Sequence, residues 1–174
     1  KKVASTKPID RLDPTNIKQK NHPNRVALII GIEKYANAPK ASYANKDAEH
    51  FYEYAKRGFG ISEDNIKLLI DEDATKNNID KALLLWLPSR IKPNVTELII
   101  FYSGHGLATP DGKELYLLAH ESETALVLLP TSALLRTMMF DKINNLKPKS
   151  VTMFFDTCFS GTSRDNETLL ADAK

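Results

Sequence analysis

Three apolar runs constrain this chain more than any other feature. Arg25-Val-Ala-Leu-Ile-Ile-Gly-Ile32, Leu98-Ile-Ile-Phe-Tyr-Ser103 and Ser150-Val-Thr-Met-Phe-Phe155 are dominated by β-branched and aromatic residues. Such runs read as buried strands of a sheet covered on both faces. Ile66 to Ile70 makes a shorter fourth strand. Between the runs the apolar period changes to that of helices. Ala44, Ala48, Phe51, Tyr52, Ala55 and Phe59 share one helical face, with Gly58 and Gly60 to stop it. Thr75 is placed to N-cap a second helix with Ile79, Leu83, Trp86 and Leu87 inward, and Pro88 and Pro93 bracket its exit. Pro110-Asp-Gly112 is a turn, with Leu115 to Ala119 as the returning arm of a hairpin. A third helix is expected from Pro130, Thr131 or Ser132, with Leu134, Leu135, Met138, Met139 and Ile143 inward.

The order β-α-β-α-β-hairpin-α-β implies an α/β fold. It is a mostly parallel sheet with helices on both faces, a three-layer αβα arrangement. The 174 residues suit one domain, and 42% apolar residues suffice for its core. Residues 1–24 read as an N-terminal arm, 25–164 as the domain and 165–174 as a tail or linker.

Two of the strands end in reactive residues. The third run leads into Asp156-Thr-Cys-Phe-Ser-Gly161, and Cys158 is the only cysteine. The second leads into Ser103-Gly-His-Gly106. Open α/β sheets build their sites at the carboxyl ends of strands, so a thiol and an imidazole arrive at one edge. A thiolate attacks carbonyls far better than a thiol, and His105 can take the proton of Cys158 and later protonate a leaving amine. Gly104 and Gly106 allow a sharp turn, and the main-chain N–H groups of Gly106 and Cys158 suit an oxyanion hole.

Other classes fit poorly. The net charge is only +2, and the basic residues lack aromatic interleaving, so nucleic acid is not the expected partner. No apolar run approaches bilayer length, and the Lys-Lys start continues into polar sequence rather than a signal peptide. A lone cysteine forms no internal disulfide, and a cytoplasmic location is expected. Four scattered histidines have no zinc spacing, and neither a phosphate loop nor a G-x-S-x-G elbow is present. His50 and His22 read as surface residues.

The two motifs carry a resemblance. Tyr102-Ser-Gly-His-Gly106 and Asp156-Thr-Cys-Phe-Ser-Gly161, whose His105 and Cys158 stand 53 positions apart, resemble the histidine and cysteine motifs of caspase-like cysteine proteases. The likeness runs from Arg25 to about Arg164 and includes Ala44-Asn-Lys-Asp-Ala48. True caspases have Gln two before the cysteine. This chain has Asp156, as metacaspases, paracaspases and bacterial orthocaspases do. A carboxylate in a pocket floor favours a cation, which implies cleavage of proteins after Arg or Lys. Resemblance to metacaspases makes Asp47 the second carboxylate of that pocket.

The resemblance also implies a question about calcium. Asp165 matches one calcium position, but residues 121–132 offer only Glu121 and Glu123, and a hard cation wants six or more oxygens. No cofactor or metal is therefore expected. The chain resembles the large subunit alone, so a small-subunit segment is the expected partner, beside protein substrates. Self-processing within Ser163 to Lys174, or just after it, is the further expectation. Two alternatives remain: a catalytically silent scaffold of the same fold, and a protease of different specificity, such as cleavage after Asn.

Overall fold

The computed structural model describes residues 14, 17 and 21–157. Its main sheet contains β1 (Arg25–Gly31), β2 (Ile66–Ile70), β3 (Glu97–Ser103) and β7 (Ser150–Asp156), all parallel, in the order β2-β1-β3-β7. The register sets Gly31, Ser103 and Asp156 in one row at the carboxyl edge. A smaller antiparallel sheet follows β3, made of β4 (Gly106–Ala108), β5 (Leu115–Leu117) and β6 (Leu134–Leu135).

The side-chain alternation of β1 and β3 divides the interior in two. Val26, Leu28, Ile30, Leu98, Ile100 and Tyr102 face one way. They pack beneath α2 (Lys76–Lys81), α3 (Leu87–Arg90) and α5 (Arg136–Asn145) through Ile79, Leu87, Met139 and Ile143. Ala27, Ile29, Ile99 and Phe101 face the other way, against Ala48 and Ala55 of α1 (Ala44–Arg57). The helices thus cover both faces, as the sequence order implies.

α1 comes unusually close to the sheet. A Cβ on Gly31 would lie 2.4 Å from the Ala48 Cβ and 2.6 Å from the Ala44 carbonyl oxygen. Only glycine lets the first turn of α1, which carries Asp47, sit at the end of β1. Asp71, just after β2, holds that arrangement from the side. Its Oδ1 accepts the Glu33 N–H at 2.8 Å and the Lys34 N–H at 3.0 Å, and its Oδ2 accepts Asn45 Nδ2 at 3.0 Å.

Thr75 caps α2 as expected, its hydroxyl accepting the Asn78 N–H at 3.1 Å. The helix does not stop at Pro88. A wide π turn, Ala82–Trp86, joins α2 to α3, and the Leu87 N–H reaches back five residues to the Ala82 carbonyl. Pro88 has no N–H to give the Leu84 carbonyl, and the wider turn carries its ring past that group.

Two expectations are corrected. The third helix does not begin at residues 130–132. One turn, α4 (Leu129–Ser132), is followed by β6, and α5 starts only at Arg136. Leu134 and Leu135 pair with Leu117 and Tyr116, so main-chain demand from the hairpin overrides their helical spacing. Met138 is consequently 55% exposed, while Met139 and Ile143 face the core. β7 is likewise not a fully buried strand. It lies at the sheet edge among the described residues. Ser150, Thr152, Phe154 and Asp156 are exposed on the α1 side of the sheet, where the helix covers β7 only in part, Phe51 packing on Phe154 with ring centroids 5.2 Å apart.

Candidate active site

His105 follows β3 directly and is buried, at 4% exposure. Its main chain is fixed before its ring is. The N–H of His105 donates to the Tyr35 hydroxyl at 2.7 Å, and its carbonyl lies 2.7 Å from the Tyr102 hydroxyl. Tyr102 is fully buried, which pushes its hydroxyl pKa well above the ordinary value, so the proton is retained for the His105 and Leu118 carbonyls. The Tyr35 ring stacks on the imidazole with centroids 4.8 Å apart. Gly104 makes this possible, since a Cβ there would come within 2.4 Å of the Tyr35 hydroxyl.

The imidazole Nε2 lies 2.8 Å from the Pro39 carbonyl oxygen. A carbonyl can only accept, so Nε2 carries the hydrogen of the neutral ring and Nδ1 carries its lone pair. The loop between β1 and α1 thus selects the tautomer.

The cysteine strand reaches the same place. Ser103 and Asp156 are register partners, and the Gly104 N–H donates to the Asp156 carbonyl at 3.3 Å. Cys158 lies outside the described residues, which end at Thr157, one residue past β7. In the small sheet, the Leu118 N–H donates to the His105 carbonyl at 3.0 Å. That bond makes Gly106 and Leu117 a non-bonded pair of the ladder, and the Gly106 N–H is turned away from β5.

Asp47 and Asp156, distant in sequence, line one hollow of about 280 Å³. Phe51, Tyr54 and Phe101 form its apolar walls, and His50 stands at its side. Ser103 joins it from the end of β3, with Oγ 3.4 Å from Asp47 Oδ2. The hollow therefore combines carboxylates with aromatic surface, chemistry suited to a long side chain that ends in a cation.

The model of the caspase domain, peptidase family C14, matches residues 24–173 of this sequence. The chain belongs to the caspase-domain family.

Metacaspases are among its curated relatives. Metacaspase-1A of Aspergillus terreus is 30% identical over 156 residues, covering 81% of this chain and 37% of the relative. Metacaspase-1 of Saccharomyces cerevisiae is 29% identical over 156 residues, covering 81% of this chain and 34% of the relative. This caspase domain thus spans about a third of the length of those proteins. Among solved structures, protein GSU0716 from Geobacter sulfurreducens has the same fold, with a TM-score of 0.58 and 21% identity over 80% of this chain and 52% of that one.

Several residues of the caspase domain's site carry no sequence signal. Tyr35, Pro39 and Asp71 belong to no motif, and only contacts across the fold reveal them. His50, expected on the surface, is exposed, but three positions beyond Asp47 on α1 it also borders the acidic hollow. Glu121 and Glu123, weighed as calcium ligands, have structural partners instead. Glu121 accepts the Lys76 N–H at the start of α2, and Glu123 accepts Asn37 Nδ2. Among the described residues no three His, Cys, Asp or Glu side chains gather as a metal site, and Asp165 lies outside them. No helix of the described residues is long and apolar enough to cross a membrane.

Proposed function

We propose that this domain is the catalytic part of a cysteine endopeptidase that cleaves proteins after Arg or Lys. The observation that carries this reading is the shared hollow of Asp47 and Asp156, one strand away from the His105 loop. The basic side chain of the substrate enters the hollow, its alkyl stem against Phe51, Tyr54 and Phe101 and its cation against the two carboxylates. The scissile carbonyl then lies over the strand end that leads to Cys158.

In the first step Cys158 Sγ bonds to the carbonyl carbon while its proton passes to His105 Nδ1. The Gly106 and Cys158 N–H groups hold the developing oxyanion. Collapse of the tetrahedral species breaks the C–N bond, and the imidazolium gives the proton to the leaving amine. Water then attacks the thioester with His105 as base, releasing the acid and the thiol. Through this cycle the Pro39 carbonyl keeps Nε2–H donated and favours the imidazolium that forms. Tyr35 and Tyr102 keep the loop from moving. No step here is routed through a metal; of the residues weighed for calcium, Glu121 and Glu123 are held by Lys76 and Asn37.

The test is cleavage of a peptide library varied at the residue on the acyl side of the scissile bond, using the full-length protein and Cys158→Ala as control. Cutting only after Arg and Lys, absent from the control, is expected. Asp156→Asn should lower kcat/KM on Arg substrates by about 10²-fold or more, a desolvated charge pair lost. Cutting after another residue would keep the peptidase and overturn the acidic pocket. No cutting would favour a silent scaffold. The same specificity makes Arg164 and Lys174 targets of the enzyme itself, and intact mass of the Cys158→Ala protein checks this. A fragment that persisted there would exclude self-processing.

A further inference from the structure

The sheet has a second edge, far from the acidic hollow. β2 pairs with β1 alone, so among the described residues its outer main-chain N–H and C=O groups meet no other strand. Beside that edge runs a groove of about 530 Å³, within the size range of ligand clefts. Lys67 and Leu69 of β2 form one side, and Lys81, Ala82, Leu85 and Trp86 form the other. Leu69 and Ala82 make an apolar floor, whereas Leu85 is 68% exposed and the adjacent Leu84 is 51% exposed. The π turn is what sets Leu85 and Trp86 beside the strand, and such turns concentrate at functional positions.

The charges at this groove select its occupant. Lys67 and Lys81 join no ion pair among the described residues. The nearby carboxylate of Asp80 is already held by Lys76 and Lys142. Asp73 is the one acid in the lining. A second copy paired edge to edge about a two-fold axis would bring the lysines of both chains together, which disfavours self-association. The basic segments that suit the acidic hollow are repelled here for the same reason.

We propose that this groove docks an extended acidic and apolar segment of a partner protein. The segment adds to β2 as a further strand, so main-chain hydrogen bonds supply affinity. One large apolar side chain seats between Leu69, Leu85 and Trp86. Asp or Glu residues two positions away on the same face meet Lys67 and Lys81, because side chains two apart share a face of a strand. The proposal stands independently of the peptidase chemistry.

A phage-displayed library of random dodecapeptides, panned on the full chain, tests it. Enriched peptides should alternate apolar and acidic residues, and fluorescence polarisation should show that Leu85→Glu weakens them about tenfold or more. The Lys67→Glu/Lys81→Glu double variant should do the same, and proline within the peptide should abolish binding by removing a main-chain donor. Leu85 and Lys81 are exposed, and unchanged thermal melting would verify that the variants fold. Basic peptides, peptides that bind Leu85→Glu as well as the parent, or no enrichment would overturn the proposal. So would peptides lost only in Asp156→Asn, or self-association in sedimentation that Leu85→Glu abolishes.

Discussion

The histidine loop depends on one hydroxyl, and a double-mutant cycle between Gly104 and Tyr35 measures how much. A Cβ at position 104 would lie 2.4 Å from the Tyr35 hydroxyl oxygen, deep inside contact distance. Gly104→Ala must therefore displace that hydroxyl from the His105 N–H, which it accepts at 2.7 Å. Leaving a buried N–H unpaired costs about 1–3 kcal/mol, and the overpacking adds about 1–3 kcal/mol. Tyr35→Phe alone forfeits the same hydrogen bond but keeps the ring that stacks on the imidazole. In the double variant the clash has no atom to meet and the N–H is already unpaired. Alanine then adds only its tight contacts with Tyr102, at 3.1 and 3.3 Å, and the strain of a φ of +156°. Those two costs occur in both backgrounds and cancel in the cycle. The double variant should thus be more stable than the sum of the singles by the hydrogen-bond loss and the overpacking together, about 2–6 kcal/mol. Urea denaturation of the four proteins reads this directly. Additivity within about 0.5 kcal/mol would refute the claim that Gly104 exists to admit the hydroxyl. In a peptidase assay, Tyr35→Phe should lower kcat more than it raises KM, since it loosens the base and leaves the acidic hollow alone.

Asp71→Ala removes the acceptor of two main-chain N–H groups and of Asn45 Nδ2, and should cost about 3 kcal/mol in a urea titration. A loss below about 1 kcal/mol would mean that water replaces the carboxylate freely. The Glu97 carboxyl is held down at about 2 by hydrogen bonds from Arg25 and then Lys149, against an ordinary value of 4.5. Its folded value lies below its unfolded one, so its stabilisation is full above pH 4.5 and is lost as pH falls toward 2. Glu97→Gln should flatten the acid limb of the stability profile over that window, and an unchanged limb would show that the two cations do not act on it. With Glu121 and Glu123 committed to Lys76 and Asn37, chelation or added calcium should leave peptidase activity within about twofold. A calcium requirement would place the ligands outside the described residues.

Much of this protein is legible in one dimension. The apolar run 150–155 reads as a strand, and the runs 25–32 and 98–103 read as strands of a covered sheet. The helical face of Ala44, Ala48 and Ala55 could only cover one side of it, and Gly58 and Gly60 end that helix where its period ends. Local chemistry decides such features, because strand propensity, helical spacing and capping act within a few residues. The strand-end positions of His105 and Asp156 follow for the same reason. Tertiary structure alone decided the rest. Leu134 and Leu135 keep helical spacing, yet they form a strand because β5 needs a main-chain partner. Ser150 to Phe155 is rich in strand formers, but only the sheet order makes it an edge among the described residues. The imidazole tautomer rests on the Pro39 carbonyl, 66 residues away, and the acidic hollow joins Asp47 to Asp156 across the whole domain. No local rule reaches that far, since such contacts exist only once a parallel register has aligned Gly31, Ser103 and Asp156 in one row.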